Sequence, residues 1–225
     1  MAPRPPTRQF LTPGGRIDHH GHGEAYVAIV LAGEYEEAGE TGRRRLLAGE
    51  AAIHEAFAGH CNIIGVRGAM VLNLPAPGLV GGFGLVSDPD ALARLAERDA
   101  PAAAALLAQA IAPVAAATTD WPDELAAALI EDPQLSLGAW ASARSLAPET
   151  LSRGFSRAFG VTPKRFRYEA RTRRALRGLC GAEPLARVAL EAGFADQTHM
   201  THAVHALTGA PPGVWRRSSR DKTGA

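Results

Sequence analysis

Leu151-Ser-Arg-Gly-Phe-Ser-Arg-Ala-Phe-Gly160-Val-Thr-Pro163 decides the fold, because the chain uses its pattern twice. Leu151, Phe155, Gly160, Pro163 and Phe166 correspond to Met200, Val204, Gly209, Pro212 and Trp215 at an offset of 49. Just upstream, Ala141, Ala147 and Pro148 correspond to Ala189, Ala195 and Asp196 at an offset of 48. Apolar residues four apart form one buried helical stripe. A shorter apolar helix precedes each copy, with Leu137, Trp140 and Ala141 in the first and Leu185, Val188 and Ala189 in the second. Two short amphipathic helices joined by a turn of about three or four residues are the signature of a helix-turn-helix. Between the copies Thr162 caps and Pro163 opens a longer helix. It carries Lys164, Arg165, Arg167, Arg171, Arg173, Arg174 and Arg177.

Charge follows this division. The net charge of the 225 residues is +1, yet residues 133–220 hold 14 basic residues against 5 acidic ones. A basic module beside a mildly acidic one points to a polyanionic partner. The overall composition, 46% hydrophobic and 21% charged, is that of a soluble globular chain. No apolar run approaches the ~20 residues of a spanning helix. Met1-Ala-Pro-Arg-Pro-Pro has no apolar core, so no signal peptide is expected. Cys61 and Cys180 are too far apart in sequence to suggest a disulfide framework or a cysteine zinc finger, which fits a reducing cytoplasm.

The front of the chain reads differently. Tyr26–Ala32, Arg45–Glu50, Ala51–Glu55, Cys61–Val66 and Ala69–Leu74 are short strand-forming runs punctuated by Gly and Pro, with a hairpin tip at 39–42. This pattern predicts a small β-barrel or sandwich over 1–86. From Ser87, a capping residue, and Pro89 the period becomes helical, predicting two Ala-rich helices within 87–120. That segment reads as a connector whose apolar face covers the barrel or a second subunit, so a homodimer is one expectation. The fold class is therefore α+β: barrel, helical connector, and an all-α domain over 121–220.

Residues 133–217 resemble the DNA-binding domain of the AraC/XylS-type transcription regulators. The stretches carrying the resemblance are 151–166 and Val188-Ala-Leu-Glu-Ala-Gly-Phe-Ala-Asp-Gln-Thr-His-Met200, with Arg171, Ala175 and Leu179 on the linking helix. The resemblance implies that the second helix of each unit enters a major groove and that the two units sit about one DNA turn, ~34 Å, apart. On the first reading helix Glu149, Thr150, Ser152, Arg153 and Arg157 form the outward set. Arg153 suits bidentate pairing with guanine, while Ser152 and Arg157 suit phosphate. On the second, Gln197, Thr198, Thr201 and His202 face outward, and Gln197 suits adenine. Lys164, Arg171 and Arg174 are expected on phosphate. Ala147 and Ala195 stand where the family caps its reading helices with Ser, although Asp196 can cap one residue late. Met200 and Val204 replace Phe, and His202 and His205 replace permanent cations. The second unit is thus expected to pack more loosely and contribute less affinity. His199, His202 and His205 recur every three residues and read as a solvated face.

The front segment resembles the cupin barrel that this family often carries. His20-Gly-His22 precedes Gly33 at the spacing of a first cupin motif, and His60 follows Gly49 as in a second. An H-x-H pair on a strand points both imidazoles to one side. With His60 opposite, His20 and His22 can converge on zinc or another divalent transition metal, or line an effector pocket. The acidic ligand of the motif falls near Tyr26, and the Pro-x-Gly is replaced by Ala56 and Ala58. His19 and His54 are expected behind this group or on the surface. A domain this short predicts a cavity at or below ~300 Å³.

Together these features predict a cytoplasmic, sequence-specific transcription regulator. Its partners would be double-stranded promoter DNA, a small-molecule or metal effector, and RNA polymerase. The competing expectation is a metal-dependent cupin enzyme with a vestigial helical tail.

Overall fold

In the computed structural model, residues 2–116 and 120–216 are described. They form two compact units, one built on 2–116 and 120–123, the other on 124–157 and 161–216. The Ala-Thr-Thr stretch at 117–119 and the expected module end at 217–220 lie outside the described residues.

The first unit contains β1 (Arg8–Leu11), β2 (Arg16–Gly21), β3 (Tyr26–Gly39), β4 (Gly42–Leu47), β5 (Glu50–His54), β6 (Gly59–Pro75) and β7 (Gly82–Val86). Two helices follow, α1 (Pro89–Ala96) and α2 (Ala100–Ala110), and then β8 (Ile111–Val114). All named strand pairs are antiparallel. The long strands β3 and β6 run side by side and change neighbours along their length. One half sits in the order β1-β6-β3-β5-β7-β8, while β2 and β4 flank the other half. Tyr26, Ala28, Val30, Val71 and Phe83 from the first half share a core with Tyr35, Leu46 and Ile64 from the second. The sheet therefore folds over its own inner face.

The change of neighbours occurs at a bulge. Gly33 has φ of 75°, and a Cβ there would stand 2.0 Å from the Gly68 carbonyl oxygen. Register shifts fall on both sides, between Val30 and Ala32 and between Gly33 and Tyr35. The sequence suggests a strand end at Gly33; the chain instead bends there and continues to Gly39. The hairpin tip at 39–42 is where the sequence places it, with Gly39 paired to Gly42.

The segment 87–120 corrects the connector reading. Asp88, rather than Ser87, caps α1, and Asp99 caps α2. Leu92, Ala93, Ala96, Ala103 and Leu107 are buried against Val27, Ile29, Leu72 and Leu74 on the outer sheet face. After α2 the chain re-enters the sheet as β8 beside β7. The helices belong to the first unit, and of the two coverings expected for their apolar face, the barrel or a second subunit, these residues take the barrel.

The second unit holds most of α3 (Trp121–Glu131), followed by α4 (Leu137–Ser142), α5 (Pro148–Phe159), α6 (Pro163–Gly178), α7 (Leu185–Glu191) and α8 (Gln197–Thr208). A last helical turn covers 212–216. Ser136 caps α4, and Thr162 caps α6 with Pro163 in its first turn. The α4–α5 and α7–α8 pairs are the two helix-turn-helix units, with five-residue turns at 143–147 and 192–196. Phe155 meets Phe166 edge-on at 5.3 Å between ring centroids. Ala175 and Leu179 of α6 share a core with Val188, Phe194, Met200 and Val204.

Candidate DNA interface and sensor cavity

The reading helices divide into an inner and an outer row. Leu151, Phe155, Met200 and Val204 are buried, all but Leu151 completely. The looser second core expected from their smaller side chains is not visible as exposure. Glu149, Thr150, Arg153 and Arg157 are exposed on α5, and Ser152 is half-buried. Gln197, Thr198 and His202 are exposed on α8, and Thr201 is half-buried. Asp196 supplies the late cap, accepting the His199 N–H at 2.8 Å. The exposed face thus offers a guanidinium fork from α5 and an amide and hydroxyls from α8.

The basic helix α6 departs from the sequence expectation. Arg171 donates to the Pro133 carbonyl oxygen, and Arg174 to that of Ile130. Arg167 reaches Leu135 O at 2.8 Å. Positions 167, 171 and 174 lie on one helical face; Arg167 and Arg171 hold carbonyls of the turn between α3 and α4, and Arg174 one in the last turn of α3. Arg171 and Arg174, expected on phosphate, each give a guanidinium NH2 to a backbone carbonyl. Lys164 remains exposed on the same helix. The sequence could not distinguish these roles, because the accepting carbonyls carry no residue signature.

In the first unit a cavity of about 520 Å³ opens on the inner sheet face, larger than the length of the domain suggested. His20, His22, Tyr26, Glu37, His54 and His60 line it. His20 and His22 come from β2 and its end, His60 from the paired β6, with His20 directly opposite His60. One ring nitrogen from each of His20, His22 and His60 lies within 4.8 Å of the other two. The structure thus brings together the three histidines that the motif spacing singled out. Tyr26 stands beside them, its ring 4.4 Å from His54 and its hydroxyl donating to His60 Nε2 at 3.3 Å.

Each of the three Nδ1 atoms faces a backbone carbonyl: Asp18 O at 2.8 Å, Pro3 O at 2.7 Å and Ala58 O at 3.4 Å for His20, His22 and His60. A carbonyl only accepts, so Nδ1 carries the proton and Nε2 the lone pair. Burial lowers the His20 and His22 pKa values and holds that of His60 well below the ordinary histidine range. Neutral imidazole is the form that ligates a metal. The donor set therefore fits a divalent transition ion.

Glu37 was not legible as a site residue, and His54, expected behind the histidines or on the surface, is the buried one of those two options, its ring centroid 4.1 Å from that of His60. Both are buried, and His54 Nδ1 lies 3.3 Å from Glu37 Oε1. Burial raises the Glu37 pKa to about 8, against hydrogen bonds from Asn62 and Tyr35 that favour the carboxylate. Glu37, His54 and His60 form a second group whose candidate ligand atoms lie within 4.8 Å of one another. The signal that points to Glu37 is its position two residues beyond Tyr35, on the same face of β3.

Residues 140–218 match the profile of a family described as a helix-turn-helix domain. The match spans 79 of the 225 residues. The cupin-enzyme reading finds no support in these comparisons. Among solved structures, the chain is similar to the DNA-binding domain of AdpA, a global transcriptional factor solved in complex with a target DNA. That likeness has 21% identity and a TM-score of 0.43, covering 46% of this chain and 96% of that one. A DNA-binding transcriptional dual regulator from Escherichia coli K-12 is similar at 16% identity and a TM-score of 0.43, over 48% of this chain and 99% of that one. ToxT from Vibrio cholerae, solved in its apo K231A form, is similar at 8% identity and a TM-score of 0.43, over 93% of this chain and 95% of that one. No curated protein matches the chain. Among the described residues no helix is long and apolar enough to cross a membrane.

Proposed function

We propose that this AraC-type regulator reads a promoter site through α5 and α8 and adjusts its DNA affinity to a small molecule or metal taken up by the first unit. The reading of DNA rests on one observation: both second helices bury their apolar row and expose a polar one. Arg153 reads guanine as a two-pronged donor, and Gln197 reads adenine through its amide. Glu149, Thr150, Thr198, Thr201 and His202 complete the base-facing set. Ser152, Arg157 and Lys164 meet phosphate, which contributes affinity without sequence information. The sensing role is supported by the cavity and its buried polar lining. An effector shifts the regulator only by the difference between its affinities for two arrangements. RNA polymerase is the partner through which binding at a promoter would change transcription.

The experiment is selection of binding sites from random duplexes by the full chain at 150 mM salt, followed by affinity measurement. A selected site bound at least ~10³-fold more tightly than random DNA supports the reading. Equal affinity for both would refute it.

A further inference from the structure

We infer that the cavity of the first unit takes a small organic cation, a primary ammonium head on a short apolar body, and that Glu37 is the group that recognises its charge. This deepens the reading of the first unit as a sensor and rests on it.

The charges of the cavity wall come first. Glu37 lines the cavity from β3 and is only 2% exposed. It accepts from the Asn62 amide at 3.2 Å and from the Tyr35 hydroxyl, and lies 3.3 Å from His54 Nδ1. None of these partners is a permanent cation. Arg4 is the only Lys or Arg among the described residues of the lining, and its side chain is 43% exposed and 3.9 Å from Glu24. A buried carboxylate without a cation is costly to hold, and a ligand ammonium supplies the missing partner. A carboxylate ligand would instead face Glu37 with no buried guanidinium or ammonium of the lining to offset it.

The hydrogen-bonding groups agree. With their Nδ1 atoms directed at the carbonyls of Asp18, Pro3 and Ala58, His20, His22 and His60 turn Nε2 lone pairs to their neighbours. These acceptors call for N–H donors. His60 belongs to two groups, one with His20 and His22 and one with Glu37 and His54. The acceptors therefore form a strip from His22 to Glu37. A metal ion held at ~2.0–2.1 Å from its ligands occupies one group. An ammonium has three donors and can bridge the two. The Tyr26 hydroxyl reaches His60 Nε2 only at 3.3 Å, a long bond that a cationic donor replaces with a stronger one. Leu11, Ile17, Ala28 and Val71 line the same cavity and give a hydrocarbon body its apolar wall, and about 520 Å³ holds both parts of a small molecule.

The test uses the full chain, freed of metal with EDTA, and calorimetry at neutral pH. Benzylamine, benzyl alcohol and benzoate share one body and differ in the head, as do n-butylamine, n-butanol and butyrate. In at least one series the amine should bind ~10-fold more tightly than its alcohol and its carboxylate, because a charged hydrogen bond contributes about twice a neutral one. Glu37→Gln keeps the shape and removes the charge, so it should bring the amine within ~3-fold of the alcohol while leaving the alcohol's own affinity in place. Loss of a merely structural residue would weaken both alike. His20→Leu, at a half-buried position, should weaken amine binding by ~3–10-fold. Melting temperatures of the ligand-free variants check that each folds, and where Glu37→Gln does not, the order of heads in the parent still decides. Alcohol or carboxylate binding as tightly as the amine in both series overturns the proposal, as does the absence of amine binding. An amine preference that survives Glu37→Gln removes the role of Glu37, and amine binding that appears only after zinc is added hands the cavity to a metal; either overturns it. Specific DNA binding by a chain that takes no amine would leave the regulator reading intact. A bound amine that leaves affinity for the selected site unchanged would remove the sensor reading and keep the ligand class, so the two fail separately.

Discussion

The two helix-turn-helix units have one plan and distribute their chemistry differently. The first exposes Arg153 and Arg157 on its reading helix, whereas the second exposes Gln197, Thr198 and His202. The first turns through Ser145 at φ 53°, and the second turns through Gly193 at φ 86°, 48 residues later. At Gly193 a Cβ would stand 2.5 Å from Pro133, so that turn admits no side chain. The second reading helix is capped by Asp196 and ends on Gly209 in the left-handed region. A duplicated fold can therefore place most of its charge in one copy while the other relies on shape and neutral donors. The units also share a support. Arg167 and Arg171 of the linking helix hold the turn that precedes the first unit, Arg174 holds the end of α3 beside it, and Gly193 of the second lies against Pro133 in that same turn.

The largest expected effect tests that shared support. Arg174→Ala removes a charged donor from the Ile130 carbonyl and should lower the stability of the helical unit by about 1.5–3 kcal/mol. Urea denaturation followed by helical circular dichroism would measure it. If stability is unchanged and only the salt dependence of DNA binding flattens, Arg174 meets phosphate after all. Next comes the reading asymmetry. Arg153→Ala should cost about 1–3 kcal/mol at the selected DNA site and relax base choice at one position. Gln197→Ala should cost less, and a reversed order would invert the ranking of the units. Asp196→Ala should lower stability by about 1 kcal/mol through the lost cap, with no matching loss expected from Ala147→Gly on the first unit. The smallest effect concerns the turns. Ser145→Gly should raise stability by about 1 kcal/mol by relieving the left-handed strain. A thermal melt that moves down instead would show that the Ser145 side chain supports its turn.

The helical unit was largely legible because its signals are local. The repeat, the caps at Thr162 and Asp196, and the inward positions Leu151, Phe155, Met200 and Val204 follow from spacings within one helix. The first unit was legible in outline only. Tyr26–Ala32 and the 39–42 hairpin stood out by composition, but Arg8–Leu11 and Arg16–Gly21 are short and polar, and they pair only through β6. Gly33 has the features of a strand end, and the bulge there shifts which residues face inward. That shift hid Glu37, which simple alternation along a single strand does not place. The histidine trio was legible from motif spacing, whereas its backbone partners depended on chain positions as remote as Pro3.

The side-by-side course of β3 and β6 also affects how the molecule is made. Their register joins Tyr26 to Pro75 and Gly39 to His60, so the pairing must bring together distant parts of the chain before it gains any stability. Such long-range closure slows folding, while short-range helical contacts form quickly. In refolding from denaturant the DNA-reading unit should become structured first, with the cavity appearing in a later phase. During that interval the molecule would hold a formed reader and no sensor. Any operator binding in that window would be independent of the effector.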